Sequence, residues 1–372
     1  MKPRIGIARA LYSFYHFPLW RKFFEELDCK IVLSPPTTRK MLVDGVKIAP
    51  VEICLPIKAF LGHIALLSKE VDCILVPRMV CINPHRSAQP NKMCELKYGC
   101  PKAIGLPDMV KALFDNSTHI LDLTIDERIM DQRQSFRKIG RLFSANNKKI
   151  LQAWNSALIE QERYESLLLD GLRPSEIFSQ DILEKNKSST LHSFSDDAKY
   201  DSNVPRKRTQ KNAEKIGLAQ IESAKICVPK PQIGLIGHPY LIYDNLLSLS
   251  LFDTIEKLGV GIQSVSSVSN TTIDEEMKQI SGVHWFYELD IIGSTAYFLK
   301  QKSIAGLLFA FSFSCGTSAV VSEIIREELL DFYDIPSITI LFDEHTASAG
   351  LLTRVESFID LLTRKPRAMS RL

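Results

Sequence analysis

Three of the eight cysteines in this 372-residue chain stand where a thiol could do chemistry. Cys54, Cys100 and Cys315 each lie beside Gly or Pro at a strand end or loop, just ahead of a helix-like segment. At a helix start, unpaired backbone N–H groups and the helix dipole favour a thiolate, the form that binds metal or acts as a nucleophile. Thiols delivered singly from separate segments can meet in a cleft. There they could hold three irons of a cubane cluster and leave the fourth to water, substrate or another ligand. A rival arrangement makes Cys315 a nucleophile, with His345 as its base and Asp343 or Glu344 as orienter. Phe313 weakens that rival, because a G-x-S-x-G elbow has Gly at the corresponding place. For any one of the three, the plain alternative is a small buried side chain that packs.

The remaining cysteines carry less. Cys29 and Cys73 fall inside apolar strands and read as packing. Cys81 and Cys94 fall in a polar loop from Met79 to Gly99, and Cys227 lies near a linker. There is no C-x-x-C pair to support a structural zinc. Neither a G-x-G-x-x-G opening a helix after a strand nor a G-x-x-x-x-G-K-[ST] loop is present, so any ATP or dinucleotide is handled elsewhere.

Composition narrows the class. Hydrophobic content of 45% and charged content of 24% are ordinary for a soluble globular chain. A net charge of +3 argues for neither nucleic acid nor a membrane surface. The uncharged span from Ser303 to Ser322 holds too many Ser, Thr and Gly residues for a lipid span. The N-terminus reads as a first strand rather than a signal peptide. Cysteines scattered along a large chain do not form a disulfide framework, and the expected location is cytoplasmic.

The elements that must position the thiols follow from periodicity. Arg4 to Ala10 reads as a strand, Phe17 to Leu27 as a helix and Cys29 to Leu33 as a second strand, a unit of the parallel-sheet kind. A helix begins near Thr38. Val51 to Pro56 is strand-like and stopped by Pro56, and a helix then runs toward Lys69. Asp72 to Pro77 is a buried strand with Arg78 at its carboxyl end. Thr124 to Leu169 reads as helical, with Leu142, Ile150, Trp154, Leu158 and Tyr164 as its apolar stripe.

From Ile233 the chain repeats itself: IGLIGHPYLIYD and LSLFDTIEKLGVGIQSVS parallel IGIARALYSFYHFP and LWRKFFEELDCKIVLSP. Gly306 to Val320 is a buried strand running into Cys315, Ser337 to Asp343 is a last buried strand, and a helix closes the chain from Leu351 to Leu362. The expected fold is therefore α/β, with two similar Rossmann-like lobes of parallel sheet. The first lobe is 1–123, a helical segment 124–184, a flexible linker 185–228 and the second lobe 229–372. Ligands gather beyond the carboxyl ends of such strands, which puts the expected cluster site in the cleft between lobes.

Several motifs resemble those of the CoA-enzyme activase-related family, relatives of the 2-hydroxyacyl-CoA dehydratase subunits. They are ICLPIKAFLGH (53–63), VPRMV with the later CPKAIGLPDM (76–109), IGHPYLIYD (236–244) and DEHTASAGLLTRVESFID (343–360); FSCGTSA (313–319) resembles the family's Cys-Gly motif. The resemblance spans both lobes and implies an oxygen-sensitive [4Fe–4S] cluster used in low-potential, one-electron reduction. Cys54, Cys100 and Cys315 match the family's cysteine positions. Lys58, His63, Arg78, His238 and His345 match polar motif positions to which no firm role attaches. Lys58, Arg78 and Lys102 are candidates for tuning the cluster or gripping an anion such as a CoA phosphate, with a solvent-facing charge as the alternative for each.

The chain carries no actin-like ATPase segment like that fused to some relatives. The partners implied are accordingly a separate ATP-hydrolysing actin-fold activase, or another electron donor, and an acyl-CoA substrate; a dimer is admitted, and nucleic acid and membrane are not. The alternatives are a non-catalytic accessory subunit that binds an activase or dehydratase, and a Cys315 hydrolase or acyltransferase.

Overall fold

Strands and helices alternate along most of the chain, and in a computed structural model they assemble into two parallel sheets flanked by helices. The structure describes residues 2–82, 97–114, 119–178 and 231–364. The expected linker, Cys94 and Cys227 lie outside the described residues. In the first lobe, β1 (Arg4–Ile7) lies between β2 (Lys30–Leu33) and β3 (Cys73–Ile82), and β5 (His119–Asp126) takes the far edge of β3, all parallel. The short β4 (Lys97–Tyr98) pairs antiparallel with the end of β3, beyond the reach of β1. In the second lobe, β6 (Gln232–Ile236) lies between β7 (Gly261–Ser264) and β8 (Ile304–Ser312), with β9 (Ser337–Phe342) outermost, again all parallel. The two lobes thus share one strand order, as the internal repeat implied. That order reverses between β1 and β3 and again between β6 and β8, where such folds bind ligands.

The helices show how local sequence sets the frame. Helix α1 (Ser13–Glu26) contains Pro18, which cannot donate to the Phe14 carbonyl one turn back. The Tyr164 hydroxyl, from α7 (Asn147–Leu169), fills the gap by donating to that carbonyl at 2.6 Å. Helix α2 (Arg39–Ile48) starts on Thr38, whose hydroxyl accepts from the Met41 N–H. Helix α3 (Leu55–Leu67) then packs against α2 with almost no gap. A Cβ on Gly45 would sit 1.9 Å from the Lys58 carbonyl oxygen, and one on Gly62 would sit 2.0 Å from that of Met41.

The lobes interlock. Phe14, Leu42, Leu55 and Ala59 of the first lobe belong to the core of the second, and Phe286 of the second belongs to the core of the first. The Tyr98 N–H donates to the His284 carbonyl at 2.8 Å, which lays β4 against the start of the helix Phe286–Lys300. Among the described residues no helix is long and apolar enough to cross a membrane.

Several expectations are corrected. Residues 119–126 form strand β5, so the stretch read as helical from Thr124 begins inside a strand. Strand β3 continues past Pro77 to Ile82, which makes Cys81 a fully buried strand residue rather than part of a loop. Pro56 does not stop a strand. It sits in the first turn of α3, where its missing N–H costs nothing. Leu142 is 67% exposed and outside the apolar stripe. The last strand is half exposed, as its position at the sheet edge requires.

Candidate functional site

Each of the three singled-out cysteines is the residue that precedes a helix. Cys54 precedes α3, Cys100 precedes α4 (Pro101–Ile104), and Cys315 precedes the helix Gly316–Glu328, all three with extended backbone. All three line one cavity of about 40 Å³ at the junction of the lobes. Its walls come from the segments after β1, β4, β6 and β8, from the start of α3 and from the start of the helix Phe286–Lys300, and they include Tyr12, Tyr240, Trp285 and Tyr287. This is the switch point of both sheets at once. Two non-glycine residues in the left-handed region flank it: Leu11 (φ 49) in the lining, and Ser314 (φ 64) directly before Cys315. Such conformations cost roughly 1–2 kcal/mol each and persist only where the surroundings enforce them.

Polar groups reach the cavity through Cys315. Its sulfur lies 3.1 Å from the Ser318 hydroxyl and 3.5 Å from that of Thr317. Ser318 donates to Glu288 Oε1 at 3.2 Å, and His238 Nε2 lies 3.2 Å from the same oxygen. The Tyr15 hydroxyl meets His238 Nδ1 at 3.4 Å, and Tyr240 stacks on the imidazole. Glu288 is 1% exposed and its Oε2 makes no hydrogen bond. Burial pushes its carboxyl up, but His238 beside it and the Ser318 hydroxyl more than offset this, and it sits below the usual range.

Cys54 and Cys100 differ from the expectation of thiolates at helix starts. Burial pushes Cys54 up to about 12, and the neighbouring Cys315 and Cys100 add to it against the Ile57 N–H and the Lys102 ammonium. Cys100 is also raised, chiefly by burial, against the Lys102 and Ala103 N–H groups aimed at it. Desolvation outweighs the helix ends here.

The other candidates part company. Lys102 reaches the site: its ammonium donates to the Glu52 carbonyl at 3.1 Å and the Ser314 carbonyl at 2.9 Å, tying together the segments that carry all three cysteines. His238 lines the cavity. Arg78 does not; it grips Asp108 through two hydrogen bonds, Asp122, and the Ile104 carbonyl at the end of α4. Lys58 is paired with Glu344 across the lobes, in a largely buried contact. His63 is wholly buried between the Ser34 and Thr37 hydroxyls, and Thr37 in turn donates to Asp244 of the second lobe. His345 is exposed beside Glu344. Asp343 is engaged by Thr346 and the His345 N–H. The imidazole linked to Cys315, through the Ser318 hydroxyl, is that of His238, whereas the nucleophile reading named His345. Sequence reasoning missed Glu288 and Ser318. The available signal was the pair of carboxylates, Glu288 and Asp290, in a helix with no other charge before Lys300.

Among the described residues, no three His, Cys, Asp or Glu side chains form a group that could hold a metal ion as they stand. A cubane asks something different, since each thiolate binds its own iron at a separate corner and the thiols surround a volume. Three thiols from three segments suit that donor set. The volume admits roughly three waters, less than a cubane fills, so seating one requires the thiol side chains or their aromatic walls to turn aside.

Fold and site together define a two-lobed α/β protein with a thiol-lined cavity where its lobes meet. The chain belongs to the family described as CoA enzyme activase uncharacterised domain (DUF2229), whose model matches residues 4–268. That match takes in Cys54, Cys100 and His238 and stops short of Cys315. No curated protein matches the chain.

Proposed function

We propose that this protein is an iron–sulfur protein that serves low-potential one-electron transfer, supplied by a separate ATP-dependent activase or another donor. The observation that carries the reading is that Cys54, Cys100 and Cys315, distant in sequence, line one cavity at the switch points of both sheets. Bound there, a [4Fe–4S] cluster would supply a one-electron couple. The chain's own part is to hold and shield. Aromatic walls exclude water, backbone N–H groups at two helix starts face the Cys54 and Cys100 sulfurs, and Lys102 places a positive charge beside Cys54. These are the features that set the potential of such a group. Lys58 and Arg78 are committed to carboxylates, which leaves Lys102 as the better placed of the three for an anionic group such as that of an acyl-CoA.

The test is anaerobic purification and reconstitution with ferrous iron and sulfide, followed by iron and sulfide analysis and an EPR spectrum of the dithionite-reduced protein. The expected result is about four irons and four sulfides per chain, lost from Cys54→Ala, Cys100→Ala and Cys315→Ala. Protein that stays iron-free sinks the reading. A thiol-directed probe would then ask whether Cys315, linked to His238 and Glu288 through Ser318, acts as a nucleophile. A stable complex with an actin-fold ATPase that catalyses nothing would mark an accessory subunit.

A further inference from the structure

Cys100 leads into α4, a helix of only four residues. A single turn has too few hydrogen bonds of its own to hold its direction, so contacts from outside must set it. Direction matters here, because the Lys102 and Ala103 N–H groups that face the Cys100 sulfur belong to this turn. Its two ends are tied through one residue. The Ile104 N–H donates to the Cys100 carbonyl at 2.9 Å, and the Ile104 carbonyl accepts from Arg78 Nη1 at 3.1 Å.

Arg78 is itself anchored on both sides of that contact. Its Nη1 and Nη2 donate to the two oxygens of Asp108, in the helix Leu106–Leu113, at 2.7 and 2.9 Å. Nη2 also donates to Asp122 of β5 at 2.7 Å. One guanidinium thus locks the end of α4 to the next helix and to the sheet, a bridge that suits a planar fork of donors. The next two residues of β3 hold the other end of the turn. The Gly99 N–H donates to the Val80 carbonyl at 3.0 Å, and a Cβ on Gly99 would sit 2.0 Å from the Met79 carbonyl oxygen. Arg78, Met79 and Val80 therefore clamp the Cys100 segment from Gly99 to Asp108.

We propose that Arg78 is a positioning residue for the thiol cavity: through the Ile104 carbonyl and Asp108 it fixes the direction of α4 and, with it, the place of Cys100 beside Cys54 and Cys315. This differs from gripping a phosphate, since its Nε, Nη1 and Nη2 are all engaged within the protein. The placement of Cys100 stands in the iron-free protein. Its consequence for a cluster rests on the proposed function.

Iodoacetamide labelling of the iron-free full chain, followed by peptide mass analysis, tests the placement. In Arg78→Met the labelling rate of Cys100 is expected to rise about fivefold as the turn is freed. Cys29 and Cys73, buried in the same lobe, should stay slow. Arg78→Lys keeps the charge but not the fork, and a rise of about threefold is expected. For Asp108→Asn, at a largely exposed position, about twofold is expected, and this variant carries the test if Arg78→Met melts early. Arg173→Met is the control: it breaks the contacts with Asp253 and Glu256, outside the cavity lining, and should leave Cys100 unchanged. In reconstituted protein, Arg78→Met should hold less iron than wild type and show shifted EPR g-values. An unchanged Cys100 rate in the folded variants, or an equal rise in Arg173→Met or at Cys29 and Cys73, would overturn the proposal. So would a reconstituted Arg78→Met with the iron content and EPR spectrum of loaded wild type. Wild-type protein that takes up no iron would instead sink the proposed function, and the labelling rates would still decide the role of Arg78.

Discussion

The Lys102 ammonium donates to the Ser314 carbonyl at 2.9 Å, so the residue two places after Cys100 holds the residue directly before Cys315. Ser314 is in the left-handed region, and its carbonyl direction is therefore enforced rather than relaxed. The same ammonium holds the Glu52 carbonyl, two places before Cys54. One cation thus braces three cysteine-bearing segments, two from the first lobe and one from the second.

Lys102→Met keeps the length of the side chain and removes the brace. Because the site is partly exposed, the expected loss is modest, about 1 kcal/mol in urea unfolding. Iron uptake in reconstitution should fall with it. A variant that binds iron like wild type would show that the cysteines need no brace.

The Lys58–Glu344 pair joins α3 to the loop after β9, with side chains 8% and 20% exposed. Removing one partner strands the other charge, so Lys58→Met is expected to cost about 3 kcal/mol. Lys58→Met combined with Glu344→Gln should recover much of that loss. A double variant as unstable as the sum of the singles would contradict the pairing.

Stability should fall on acidification. Burial, with Arg9 adding to it, holds His63 down to about 3, and burial holds His16 down to about 4, against an ordinary 6.5. Below 6.5 the unfolded chain binds protons that the folded chain refuses, and each histidine removes roughly 1.4 kcal/mol per pH unit until its folded value is reached. Urea midpoints measured between about pH 7 and pH 5 should show this slope. His63→Gln should flatten it by roughly half of the histidine share.

Iron-free protein should alkylate in a set order. Cys100 and Cys315 are partly exposed, whereas Cys29, Cys54, Cys73 and Cys81 are buried. Among the described cysteines, iodoacetamide with peptide mass analysis should find Cys315 and Cys100 modified first. Cys54 should lag, as a thiol pushed up to about 12 must. Labelling of Cys54 as fast as Cys315 would refute the burial assigned to it.

The duplication of the lobes was legible because Ile5-Gly6-Ile7 and Ile233-Gly234-Leu235 open the same strand–loop–helix pattern, and both became the inner strand of a sheet. The helix starts at Cys54, Cys100 and Cys315 were legible from the Pro or Gly around them. Strand β5 was not read, although Leu121, Leu123 and Ile125 alternate with polar residues. Its charged neighbours matched the exposed face of a helix, and only pairing with β3 decides between the two. The fate of Lys58 was beyond local reading, since Glu344 lies 286 residues away and meets it only when the lobes dock. Lys102 stood out for its charge, but its work on two carbonyls depends on where three segments end in space.

Tyr287 lines the thiol cavity and also a second, larger one of about 230 Å³ between the lobes. A partition of this kind has a thermodynamic consequence, because any occupant of one side that shifts the ring alters the free energy of filling the other. That coupling must be equal in both directions. Occupancy at the thiols would then be legible as a changed affinity for any occupant of the larger chamber, and such an occupant as a changed grip on whatever the thiols hold.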